Sequence, residues 1–95
     1  MDRQEAIGIL QRLKPFLQRK YAVKRLGLFG STARSVHTES SDVDVLVEFE
    51  QPIGIEFIDL SFLLEKEFDK KVDVVSLNGI KDKYFKEIEK DIIYV

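Results

Sequence analysis

"GLFGSTARSVHTESSDVDVLVEF", residues Gly27 to Phe49, is the stretch on which the fold turns. An apolar run closes at Gly30-Ser31, a polar loop follows, and "DVDVLVEF" then alternates over residues 42–49. Alternation puts Asp42, Asp44, Leu46 and Glu48 on one face of a strand and Val43, Val45, Val47 and Phe49 on the other. Aspartate is depleted from strands, and a carboxylate at a strand mouth is costly unless something binds it. The stretch therefore predicts strand, short polar connection, strand, with two acids at the mouth of the second.

Reading outward, Asp2 and Glu5 have capping-box spacing. Ala6, Leu10, Leu13, Leu17 and Tyr21 then recur every three or four residues, which predicts an amphipathic helix. Pro15 lies inside it, and an interior proline removes a helix hydrogen bond, so a kink is expected one turn earlier. "VKRLGLFG" reads as a buried strand ending at Gly30, with room for one helical turn after Ser31. Residues 54–68 read as a second helix, "KKVDVVSL" as a third strand, and Asn78-Gly79 as a break. Ile80, Tyr84, Ile88 and Ile92 mark a final helix, and the closing "IIYV" suits a short edge strand. The whole is an α/β pattern over residues 1–95: a small mixed sheet of three strands, plus the edge strand, flanked by helices. The helix between strands two and three implies a parallel crossover. The compact link between strands one and two implies an antiparallel pair.

The totals set limits. Ninety-five residues make one domain, burying roughly 60–70% of the unfolded surface. At 44% hydrophobic and 34% charged, the composition is that of a folded chain rather than a disordered one. A net charge of -2, with no basic run beyond two residues, gives no support for nucleic-acid binding. The absence of cysteine excludes disulfides and thiolate metal sites. No signal peptide or membrane-spanning run is visible, so a soluble cytoplasmic domain is expected.

On this topology the end of strand one and the starts of strands two and three share one edge. Gly30-Ser31, Asp42, Asp44 and Asp73 therefore converge. Asp42 and Asp44 share a face, with Cα atoms ~6.6 Å apart, and Asp73 is a lone acid between Val72 and Val74. Clustered carboxylates repel and raise one another's pKa; hard divalent cations relieve this, and oxygen ligands with waters to spare suit Mg²⁺. Glycine allows a ligand close approach, and Ser31 opening a helical turn would aim N–H groups and a hydroxyl at an anion. A phosphate-binding turn beside a two-metal carboxylate site is apparatus for phosphoryl or nucleotidyl transfer. It is not a Walker P-loop, whose glycine-lysine spacing is missing.

The remaining residues divide between plain and functional roles. Arg34 is either a phosphate contact or a solvated loop charge. His37 reads as surface, Ser40 and Ser41 as turn formers, and Lys81, Lys83, Lys86 and Lys90 as a solvated face. In the 54–68 helix, Phe57, Leu60, Leu64 and Phe68 form the stripe for the sheet. Ile55, Ile58 and Phe62 form a second stripe, expected to pack under the C-terminal helix, with an exposed partner patch as the alternative.

The combination of Gly-Ser, ten residues, Asp-x-Asp and a later lone Asp resembles the signature of the polymerase β-like nucleotidyltransferases. From "LKPFLQRKYAVKRLGLFGS" through "QPIGIEFIDL" and "KKVDVV" to "DIIYV", nearly the whole chain resembles their smallest members, the MNT (minimal nucleotidyltransferase) proteins. The resemblance implies that Gly30 and Ser31 form the triphosphate turn, with Arg34 beside it. Asp42 and Asp44 become Mg²⁺ ligands, and Asp73 the third acid, beside the attacking hydroxyl. ATP would be the substrate. Ser35 departs from the family, many of whose members have glycine there. The fold core uses up these residues, so the acceptor would come from outside. The implied partner is a HEPN-type RNase toxin, to a tyrosine of which an MNT antitoxin transfers AMP. Transfer to a small molecule or an RNA end, and neutralisation by contact alone, remain as alternatives.

Overall fold

The structure is a computed structural model, and it describes residues 1–36 and 41–95. Helix α1 (Arg3–Tyr21) starts at Asp2, whose carboxylate accepts the Glu5 N–H at 2.8 Å. Arg19 and Lys20 sit in its last turn, where cations oppose the helix dipole. The helix runs unbroken through Pro15. Pro15 and Gln11, whose carbonyl loses its partner there, are both exposed to water, while buried Leu10 and Leu17 hold the two halves on the sheet.

Four strands follow: β1 (Val23–Phe29), β2 (Val43–Phe49), β3 (Val72–Ser76) and β4 (Ile93–Tyr94). They lie in the order β3-β2-β1-β4. β1 and β2 are antiparallel, β2 and β3 parallel, and β4 is antiparallel to β1. The mixed sheet expected from the connection lengths is thus present, and "IIYV" does supply its edge strand. Between the strands sit α2 (Gly30–Ala33), α3 (Glu56–Phe68) and α4 (Asp82–Ile88).

Alternation and register sort the side chains. Val43, Val45, Val47 and Phe49 of β2, with Leu26 and Leu28 of β1, join Ala6, Leu10 and Leu17 of α1 and Leu60, Leu64 and Phe68 of α3 in one core. Phe49 meets Phe57 edge-on, ring centroids 6.3 Å apart, which seats the start of α3 at the end of β2. The opposite face carries Asp44, Leu46 and Glu48 of β2 and, by register, Arg25, Gly27 and Phe29 of β1 and Asp73 and Val75 of β3. Both long helices therefore cover one face, and the acids lie on the other.

One expectation is corrected. Ile55, Ile58 and Phe62 do not pack under the C-terminal helix; they are 75%, 52% and 65% exposed. After the Leu77–Gly79 turn the chain carries α4 to the β3 side, where Ile80 and Tyr84 line a groove with Val74 and Val75. The second stripe points away from the sheet and faces solvent. Among the described residues no helix is long and apolar enough to cross a membrane.

Gly8 lies inside α1 with nothing within 4 Å of where a Cβ would stand. Gly8→Ala should therefore stabilise the protein by about 1 kcal/mol, seen in thermal unfolding as a midpoint rise of roughly 4–8 °C.

Candidate active site

The site is built where β1 turns into α2. Phe29, the last residue of β1, stands opposite Asp44 of β2. Gly30 follows with φ +75°, a conformation that L side chains rarely adopt. Space enforces glycine a second time. A Cβ there would collide with Asp44 Oδ2 and lie 2.9 Å from its Cγ. The turn and the carboxylate are packed together so closely that only glycine fits.

Register brings in the third acid. Asp44 pairs with Asp73 across the parallel β2/β3 ladder, and Asp42 lies two residues before Asp44. Asp44 is half-buried, and its carboxyl is pushed up to about 6. Burial is the largest cause, followed by repulsion from Asp73 and from Asp42; Arg34 pulls the other way. Asp44 thus stands in the field of both other acids, and perturbed carboxyl groups of this kind gather at functional sites. Among the described residues, no group of three or more His, Cys, Asp or Glu is yet arranged to hold a metal ion. The donor chemistry nevertheless fits Mg²⁺: carboxylate oxygens only, from two neighbouring strands, with Asp73 open to solvent. A divalent cation there would relieve the repulsion that raises Asp44.

Ser31 is half-buried in the first turn of α2, and Phe29 offers that turn no side-chain cap. The first N–H groups of that turn have no partner within the helix. The far end of α2 is fixed instead: Arg3 Nη1 donates to the Ala33 carbonyl at 3.3 Å, and the Arg34 N–H to the Gly30 carbonyl at 3.1 Å. Ser35 adopts φ 61°, the left-handed region in which glycine is at ease. A serine in this conformation carries a steric cost that glycine does not.

Arg34 is neither free nor merely solvated. Its Nη1 donates to Asp91 Oδ2 at 3.1 Å, across 57 residues of sequence. Asp91 is the residue that sequence reasoning missed. It lies in the final 3₁₀ turn, Glu89–Asp91, and no local pattern marks it. Lys81, Lys83, Lys86 and Lys90 are all exposed. His37 and Ser40 lie outside the described residues. Two shallow apolar grooves, of about 400 and 430 Å³, run along the far end of β2 and the β3 edge, and neither contains the acids.

Comparison with known proteins agrees with this geometry. The model of the nucleotidyltransferase domain family matches residues 10–95. A Methanocaldococcus jannaschii protein, provisionally named a protein adenylyltransferase, is 46% identical over 93 residues, spanning 96% of this chain and 95% of its own. The protein adenylyltransferase MntA of Thermococcus cleftensis is 36% identical over 93 residues, spanning 97% and 94%. A solved structure, provisionally named a minimal nucleotidyltransferase, superposes with TM-score 0.83 at 28% identity, covering 98% of this chain and 95% of that one. The Shewanella oneidensis complex of a tri-AMPylated HEPN toxin with an MNT antitoxin shares the fold, with TM-score 0.69 at 18% identity over 97% and 70% of the two chains. With Gly30 packed on the Asp44 carboxylate and the family model matched over residues 10–95, this chain belongs to the minimal nucleotidyltransferases and is a nucleotidyl-transferring enzyme.

Proposed function

We propose that the protein transfers AMP from ATP to a tyrosine hydroxyl of a HEPN-type RNase toxin and thereby acts as its antitoxin. The observation that carries the reading is the pairing of Asp44 with Asp73 while Gly30 packs on the Asp44 carboxylate. Family membership supplies nucleotidyl transfer, and the relatives' names supply a protein acceptor. A solved neighbour of the same fold is a toxin–antitoxin complex with AMP-PNP, TM-score 0.73 at 20% identity.

In this reading Asp42, Asp44 and Asp73 hold Mg²⁺, which would screen the triphosphate and make the acceptor hydroxyl more acidic. The Gly30-Ser31 turn binds phosphate oxygens through N–H groups and the Ser31 hydroxyl, and Arg34 adds a fixed cation. Asp73, on the outer strand, takes the hydroxyl proton. The acceptor oxygen bonds to the α-phosphorus, the bond from that phosphorus to the bridging oxygen breaks, and pyrophosphate leaves. A transferred AMP adds bulk and negative charge, which would oppose RNA at the toxin's active site.

A second reading, neutralisation by contact alone, is favoured by one observation: the exposed Ile55, Ile58 and Phe62 stripe. Acceptance by an RNA end fits the net charge of -2 less well.

The deciding experiment mixes the protein with ATP, Mg²⁺ and a HEPN-type toxin and reads intact masses. The toxin should gain one or more AMP units with the native chain. Asp42→Ala should reduce transfer by about a hundredfold or more. A stable complex without mass gain would leave contact as the mechanism. In that case Phe62→Glu should abolish the complex, whereas under the catalytic reading it leaves transfer to a free tyrosine ester unchanged. Asp44→Asn separates function from stability. Folding raises the Asp44 pKa, so its ionised form disfavours the folded state above pH about 6. The variant should lose transfer yet melt at a higher temperature than the native chain in metal-free buffer at pH 7.

A further inference from the structure

Arg34 stands at the end of the single turn of α2, its backbone closed onto Gly30 by a 3.1 Å hydrogen bond. Four residues of helix span about 6 Å, so a side chain as long as arginine can span the distance back to the phosphate turn. An unheld arginine in a loop samples many rotamers, and ordering it on a ligand is costly. Arg34 is held. Asp91 receives one N–H of its guanidinium and leaves the rest of the five-donor fork unused by that bond.

The two sides of the pair differ in exposure. The Asp91 side chain is 19% exposed and the Arg34 side chain 48%. The carboxylate is tucked in, and the guanidinium presents a face to solvent. Asp91 is itself anchored, because the next strand, β4, pairs Ile93 with Leu28 and Tyr94 with Gly27 of β1. Leu28 is one residue from the end of the strand that delivers the phosphate turn. The C-terminal segment and the phosphate turn are thus mounted on the same strand, with Arg34 joined to both.

We propose that Asp91 is a positioning residue that holds the Arg34 guanidinium in place for the triphosphate of the incoming nucleotide. This rests on the reading above in which Arg34 contacts phosphate. An ion pair this exposed contributes little to folding, so variants at Asp91 should remain folded and its effect should appear on the nucleotide.

The test measures binding of AMP-PNP with Mg²⁺ by calorimetry, together with the KM and kcat for ATP in transfer and the melting midpoint without nucleotide. Arg34→Ala should weaken binding about tenfold, as expected for loss of a charged hydrogen bond. Asp91→Ala should weaken it roughly three- to tenfold and raise KM without lowering kcat, the pattern of lost uniform binding. Asp91→Asn, which keeps the acceptor oxygen, should bind within about twofold of the native chain, and Arg34→Ala with Asp91→Ala together should bind no worse than Arg34→Ala alone. Tighter binding by Asp91→Ala would overturn the proposal, because Asp91 would then compete with phosphate for Arg34. So would a lowered midpoint with unchanged affinity, which would make the pair structural. If Arg34→Ala binds normally, the phosphate role of Arg34 itself fails, an outcome distinct from either of these.

Discussion

Everything at the functional edge depends on one crowded contact, the Asp44 carboxylate against the backbone of Gly30. It couples the two halves of the site mechanically. The turn leaves no room for a Cβ beside the carboxylate, and the β2/β3 register sets the Asp44 and Asp73 backbones side by side. The cost is visible in Asp44, whose pKa is raised first by burial and then by its two acidic neighbours. A fold selected for stability alone would place an apolar residue there, as it does at Val43 and Val45 on either side. Strain of this kind, concentrated where no packing benefit offsets it, is how function departs from the local rules of folding.

The sheet explains how so short a chain can hold such a cluster rigidly. β2 is central, with β1 and β3 hydrogen-bonded on its two sides, and its inward valines are almost wholly buried under α1 and α3. Backbone and core therefore fix Asp44 from three directions, and only its outward face remains open. The third acid is placed differently. Asp73 lies on the outer strand and is exposed, which suits the acceptor-side role proposed for it.

The sequence revealed most of this wherever the controlling interactions were local or periodic. Period-two alternation marked β2 and its two faces, and the crossover helix implied the parallel pairing that puts Asp73 beside Asp44. Two features were hidden because they depend on distant chain segments. The Arg34–Asp91 pair spans 57 residues, and an aspartate in a charged terminal stretch has no local mark of its partner. The outer stripe of α3 was misplaced because amphipathic spacing says which residues are apolar, not what covers them. Its neighbour in sequence, α4, lies instead beside β3. Pro15 and Ser35 show the opposite case, in which a local penalty was legible and tertiary context tolerates it: one faces water in a helix pinned at both ends, the other adopts the glycine conformation outright.

Contact and chemistry occupy opposite sides of the molecule. α3 lays Leu60, Leu64 and Phe68 on the sheet and turns Ile58 and Phe62 outward, whereas Asp44 points from the other face of that sheet. A protein seated on the outer stripe therefore meets a different face of the sheet from the one that carries Asp44. Substitutions on the stripe and substitutions at the acids for that reason act on separate faces of the sheet, and the effect of one can be read without disturbing the other.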